Sequence, residues 1–252
     1  MTYKLVLIRH GESIWNRLDR FTGWADVDLS EQGVKEATSA GLLIKEKGFK
    51  FDVVYTSVLK RAIKTSQYLL KSSQMTYLPI IKNWRLNERH YGALQGRNKE
   101  ESIEEFGEEE VKIWRRDFII KPPLLSLYDS RHPGKDIRYR DVSEKDLPIG
   151  ESLADCLERV LPYWQEELKP AIMSGKNLLI AAHGNSLRAL VKNIEHMTDE
   201  QVINLEIPTG QPLVYELDAN SLAVVKKYYL KDSVNNEEDS KGWFSFLNKL
   251  KK

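Results

Sequence analysis

Apolar positions along the chain fall into two patterns. Short, largely apolar runs occur at Leu5–Ile8, Phe51–Tyr55 and Asn177–Ala182. Runs this short, rich in strand formers, predict buried strands. Elsewhere apolar residues recur every three or four places. Val34, Ala37, Gly41, Leu42, Leu43 and Ile44 form an approximate stripe between Ser30, suited to an N-cap, and Gly48, suited to a terminator. Helices are predicted again over 58–71, 98–117 and 152–173, with Pro162 bending or restarting the last. Met75–Ile81 predicts an edge strand, because Pro79 cannot donate to a ladder. Leu213–Leu217 and Ala223–Leu230 predict two more strands. Strands alternating with helices predict an α/β fold: a three-layer α/β/α sandwich around a mainly parallel sheet. Residues 118–150 carry Pro122, Pro123, Pro133 and Pro148 with little periodicity, which predicts a long loop of the functional or mobile kind.

Composition narrows the class. The 252 residues are 41% hydrophobic and 30% charged, with a net charge of +1. No global basic field invites nucleic acid. The single Cys156 cannot form an internal disulfide and suits a reducing compartment, so a cytoplasmic location is expected. The N-terminal residues lack a signal-peptide pattern, and no run approaches the ~18 apolar residues of a membrane span.

Candidate chemistry sits where two predicted strands end. LVLIRHGE runs into Arg9, His10 and Gly11, and LLIAAHGN runs into His183, Gly184 and Asn185. In a parallel sheet both strand ends lie on one edge, where open α/β sheets bind ligands. A neutral imidazole is a nucleophile, and Arg9 offers a fixed fork for phosphoryl or carboxylate oxygens. The pairing suits phosphoryl transfer through a phosphohistidine. A zinc site competes, but an adjacent arginine repels a divalent cation, and neither HExxH nor a cysteine pair supplies further ligands. No metal is expected. A purely structural role for both histidines is the remaining alternative.

RHGESIWN resembles the signature of the histidine phosphatase, or phosphoglycerate mutase-like, superfamily. FTGWADVDLSEQG, FDVVYTSVLKRAIKT, WRLNERHYGALQG, VKIWRR, AAHGNSLRALVK and IPTGQPLVYELD resemble, within it, the cofactor-dependent phosphoglycerate mutases. The resemblance spans residues 4 to about 230. It implies one catalytic domain over 1–230, with an inserted cover segment at 90–150 and a tail at 231–252. It implies that 3-phosphoglycerate and 2-phosphoglycerate are interconverted through phosphorylated His10, primed by 2,3-bisphosphoglycerate. His183 then stabilises the moving phosphoryl group, Arg9 and Arg61 hold its oxygens, and Glu88 carries the hydroxyl proton. Ser13, Asn16, Thr22, Gly23, Arg89, Tyr91, Lys99, Arg115, Arg116, Gly184 and Asn185 are the implied substrate-binding residues, with Ser57 a further hydrogen-bonding group near phosphate. A homodimer or homotetramer is expected from the same resemblance.

Three related activities compete. A phosphatase passes the phosphoryl group to water, whereas a mutase keeps it dry beneath a cover such as 90–150. A bisphosphoglycerate mutase resembles RHGEG and FCSW where this chain has RHGES and FTGW, so Ser13, Thr22 and Gly23 favour the glycolytic branch. A catalytically inactive binding protein on the same fold is the reading from a different class.

Other positions read more plainly. His90 is expected to support the pocket, His132 and His196 to face solvent, and Cys156 to pack. Trp15, Trp24, Trp84 and Trp164 suit core or pocket wall. Arg97 and the acidic run ESIEEFGEEE depart from the family pattern. So does the C-terminus, where Trp243, Phe246, Leu247 and Leu250 are spaced as in a short amphipathic helix among lysines. That tail is expected to dock on its own domain or on a partner subunit, with peripheral membrane contact the weaker alternative.

Overall fold

A computed structural model describes residues 2–231. The tail pattern from Trp243 to Leu250 lies outside the described residues. The central sheet comprises β1 (Thr2–Arg9), β2 (Val53–Thr56), β3 (Ile80–Lys82), β4 (Leu178–Ala182), β5 (Leu213–Asp218) and β6 (Val224–Tyr229). Their order is β3-β2-β4-β1-β5-β6. The first four run parallel, while β5 is antiparallel to β1 and β6 to β5.

Alternating strand residues bury on opposite faces, which creates the three layers. Leu5, Leu7, Tyr55, Leu178 and Ile180 join one apolar cluster, with Val160 and Leu190 among its helical members. Val6, Ile8, Val54, Leu179 and Ala181 join the other, with Ala40, Ile44 and Leu69. The helices are α1 (Ile14–Arg17), α2 (Glu31–Glu46), α3 (Lys60–Ser72), α4 (Lys99–Phe106), α5 (Glu108–Arg116), α6 (Leu153–Tyr163), α7 (Lys169–Met173), α8 (Gly184–Glu195) and α9 (Asp199–Ile203). Ser30 caps α2 as expected, its side chain accepting from Gly33 N–H.

The expected helix at 98–117 is two helices. Gly107 adopts φ 88°, caps α4 and turns the chain into α5. The edge strand starts at Ile80 and not at Met75, since Met75 closes a turn by donating to the Leu70 carbonyl. After Pro162, α6 widens into one π-helical turn at Trp164–Leu168 before α7. Residues 118–150 are irregular but anchored. Tyr139 and Leu147 bury against Trp24, with Trp84 and Val58 packed alongside. His132 is buried, contrary to the solvent-facing expectation, and its Nδ1 accepts from Gly134 N–H at 3.0 Å within the turn. His196 is exposed. Among the described residues, no helix is long and apolar enough to cross a membrane.

Candidate active site

Register places the two strand-end histidines together. Arg9 pairs with Ala182 across the β1–β4 ladder, and His10 N–H donates to the Ala182 carbonyl at 2.9 Å. His183 is the next residue along. The imidazole centroids lie 4.9 Å apart at 63°. Close backbone packing holds this edge, since a Cβ on Gly11 would stand 2.2 Å from the Gly33 carbonyl oxygen at the start of α2.

Hydrogen bonding sets the His10 tautomer. Nδ1 lies 2.7 Å from the Gly11 carbonyl, which can only accept, so Nδ1 carries the proton. Nε2 therefore keeps its lone pair and accepts from Arg61 Nε at 3.2 Å. Burial, then the Arg61 and Arg9 charges, hold the His10 pKa well below the usual histidine range. His183 is pushed the same way, first by burial and then by Arg61 and His10. Its Nε2 lies 2.7 Å from Ser57 Oγ, while Nδ1 is buried with no hydrogen-bond partner among the described residues. Ser57 Oγ accepts from Leu59 N–H, so its own proton is available to His183 Nε2.

Arg61 is firmly anchored in the cleft wall. It lies in the first turn of α3, and its Nη1 and Nη2 donate to the Ala25 and Gly23 carbonyls at 2.9 and 2.7 Å. Burial lowers its pKa to about 10, which leaves it charged near neutrality. Arg9 Nη1 donates to the Ile207 carbonyl at 3.0 Å, and its Nε is buried without a partner among the described residues. Glu88 Oε1 accepts from Arg89 N–H, Asn185 N–H and Asn185 Nδ2 at 2.8, 3.1 and 2.9 Å. Its Oε2 makes no hydrogen bond among the described residues. Gly184 separates this oxygen from Arg9: an added Cβ would lie 3.7 Å from Glu88 Oε2 and 3.6 Å from Arg9 Nε.

These groups border a cleft of about 470 Å³. Of the expected residues, Arg9, His10, Asn16, Thr22, Gly23, Arg61, Glu88, Tyr91, Lys99, Arg115, Arg116, Gly184 and Asn185 line it. His183 is fully buried against the His10 ring. Ser13, Arg89 and His183 are not among the lining residues. Ser13 caps α1 and exchanges hydrogen bonds with Asn16. The Arg89 guanidinium sits over the Tyr91 ring at 4.7 Å and donates to the Arg115 carbonyl at 3.0 Å, which supports both lining residues from behind. Arg20, Phe21, Arg188, Glu206, Ile207 and Pro208 also line the cleft and were missed. Arg188 had a usable signal, since it follows Gly184 by one helical turn on α8. Arg20 and Glu206 lie outside regular elements and had none.

Residues 90–150 contribute to two cavities. Tyr91, Lys99, Arg115 and Arg116 line the cleft, whereas residues from 130–139 line a separate cavity beside Trp15 and Trp24. Arg97 pairs with Glu105 and lies over Phe106, away from the cleft. Lys99 pairs with Asp19. Burial pushes the Cys156 thiol up, consistent with packing.

The family model of the histidine phosphatase superfamily, branch 1, matches residues 5–131 and 125–229. The chain belongs to that superfamily. Solved structures with this fold include the alpha-ribazole phosphatase from Shigella flexneri, 21% identical, covering 90% of this chain and 96% of that one at a TM-score of 0.66. A mycobacterial glucosyl-3-phosphoglycerate phosphatase is 20% identical over 91% and 97%, at 0.64. A phosphoglycerate mutase from Bacillus anthracis is 24% identical over 85% and 88%, at 0.60. At these identities the three speak to the fold. The six-stranded, mostly parallel sheet flanked by helices is the phosphoglycerate mutase-like arrangement.

Proposed function

We infer that this protein is a 2,3-bisphosphoglycerate-dependent phosphoglycerate mutase of the cytoplasm, acting as a homodimer or homotetramer. The observation that carries the chemistry is the His10 tautomer: a neutral imidazole presents Nε2 among Arg61, Arg9 and His183. In our reading, His10 Nε2 bonds to the phosphorus of a bound phosphomonoester. The ester P–O bond breaks, and protonated Glu88 supplies the proton for the leaving oxygen. Return runs in reverse: the acceptor hydroxyl gives its proton to Glu88 as its oxygen takes the phosphoryl group from His10. In the same reading, Arg9 and Arg61 from the cleft wall and His183 from beside His10 offset charge on the transferring oxygens.

The donor set fits a bisphosphorylated acid. Arg9 Nε is a buried orphan at the inner cleft, and Arg20, Lys99, Arg115, Arg116 and Arg188 ring the outer part. Inner groups Arg9 and Arg61 would hold one phosphate, and the outer ring the rest of the molecule. When bound, 2,3-bisphosphoglycerate supplies the phosphoryl group that primes His10. Mutase over hydrolase is favoured by the motif resemblance and by the α4–α5 pair contributing Lys99, Arg115 and Arg116 to the cleft.

A second reading, a phosphomonoesterase using the same site, is favoured by the phosphatases among proteins of this fold. One assay separates the two. Protein is supplied with 3-phosphoglycerate, with and without 2,3-bisphosphoglycerate, and both 2-phosphoglycerate and inorganic phosphate are measured. Cofactor-stimulated 2-phosphoglycerate formation, with acid-labile phosphate on His10, is expected. Phosphate release outrunning isomerisation would favour the hydrolase.

A further inference from the structure

The segment carrying Glu88 is held from outside the cleft by a buried ion pair. Arg159 and Glu151 side chains are 6% and 4% exposed. Arg159 Nε donates to Glu151 Oε1 at 2.6 Å, and Nη2 donates to Oε2 at 2.9 Å. The same guanidinium gathers backbone carbonyls. Nη1 donates to Arg85 O at 2.6 Å, with longer bonds to Trp84 O and Asn87 O at 3.4 and 3.3 Å. Nη2 donates to Asn87 O and Glu88 O at 3.3 and 3.2 Å. Glu151 closes the far side. Its Oε2 accepts from His90 N–H at 2.8 Å, and its own N–H donates to the His90 carbonyl at 2.8 Å.

Residues 87–91 form neither strand nor regular helix, so no ladder accounts for their polar groups. Carbonyls converging on one point repel each other unless a cation lies between them. The Trp24 indole completes the arrangement by donating to the Glu88 carbonyl at 2.6 Å, with its ring 5.5 Å from the Arg159 carbon. A buried ion pair is weak evidence for stability compared with apolar packing. Its distinguishing product is geometry, because one planar fork fixes several backbone positions at once.

We propose that Arg159, braced by Glu151, is the positioning residue that sets where the Glu88 carboxyl stands relative to His10. This rests on the reading of Glu88 as proton carrier. Arg159 touches no reacting atom; it acts through the Glu88 backbone. Displacing that backbone moves the proton relay and leaves Arg9, Arg61 and His10 on their own elements.

Two phosphoryl donors separate this role from general support of the fold. Phosphoglycerate leaves as an alkoxide and needs a proton. The nitrophenolate from p-nitrophenyl phosphate is stable as an anion and needs none. Arg159→Lys keeps the charge and loses the fork. Its turnover of phosphoglycerate is expected to fall about 10- to 100-fold in kcat with KM within about threefold. Single-turnover nitrophenolate release, with labelling of His10, should stay within about threefold of the unsubstituted protein. Equal losses on both donors would mean a merely structural role and overturn the proposal. Glu88→Gln is the reference. Absence of the split in Glu88→Gln would overturn the reading of Glu88 itself, whereas a split there but not in Arg159→Lys would overturn only the positioning role. Should Arg159→Lys not fold, Glu151→Gln, which preserves shape and an acceptor, carries the same comparison: a split supports positioning, and equal losses overturn it.

Discussion

His10 offers Nε2 because the Gly11 carbonyl takes the Nδ1 proton, and burial among arginines keeps the ring neutral. Because its pKa lies well below 6.5, lowering the pH through 6.5 leaves the nucleophile unprotonated. An ordinary histidine would titrate in this range, whereas here nitrophenolate release in a single turnover is expected to change less than about twofold between about pH 7.5 and 5.5. A sharp fall centred on 6.5 would contradict this. Glu88→Gln keeps the shape that accepts from Asn185 and cannot carry a proton. Phosphoglycerate turnover is expected to drop about 10²- to 10⁴-fold, while equilibrium binding, measured by calorimetry, changes little. At this scale the motifs marked His10, His183, Glu88 and the arginines. They did not show which way a side chain leaves the backbone, because adjacency to a motif carries no orientation. Arg89 follows Glu88 directly, yet it packs behind Tyr91.

The decisive element contact joins the end of β1 to the start of α2. Gly11 and Gly33 approach so closely that either Cβ would overlap backbone, and Ser30 Oγ donates to Glu12 Oε1 at 2.5 Å in the same corner. Gly11→Ala must push these elements apart beside His10. Thermal or denaturant unfolding should show a loss of about 1–3 kcal/mol, accompanied by slower labelling of His10. An unchanged midpoint would show that the corner yields freely. Element types were legible in the sequence wherever periodicity was long, as in α2. Gly107 was visible as a residue, but the charged stretch around it carried no apolar stripe to show two helices. Residues 118–150 looked structureless because Tyr139 and Leu147 are held by Trp24, a partner far removed along the chain.

Across the whole molecule, three buried histidines couple stability to pH. The pKa values of His10 and His183 are well below 6.5, and that of His90 falls to about 3 through burial and the nearby Arg159 charge. Below pH 6.5 the unfolded chain binds protons that the folded chain refuses, so acid favours unfolding. Stability attributable to each is present above pH 6.5 and declines as pH falls toward the folded-state value. The slope approaches about 1.4 kcal/mol per pH unit for each histidine. Melting temperature should therefore fall between about pH 7.5 and 5.5. His90→Asn, which retains an acceptor for Gly92 N–H, should fall less steeply. Equal slopes in the two proteins would remove His90 from this account.

The sequence by itself determined the layered α/β fold, since short apolar runs rich in strand formers alternate with helical stripes that can cover both faces of a sheet. It also determined which two strand ends carry imidazoles, because that follows from order along the chain. Tertiary structure alone decided what faces the cleft. Parallel register brought His10 against His183, loops far apart in the chain delivered Arg20 and Glu206, and α6 sent Arg159 beneath Glu88. Those outcomes depend on orientation and on long-range contact, neither of which has a local signature in residue order.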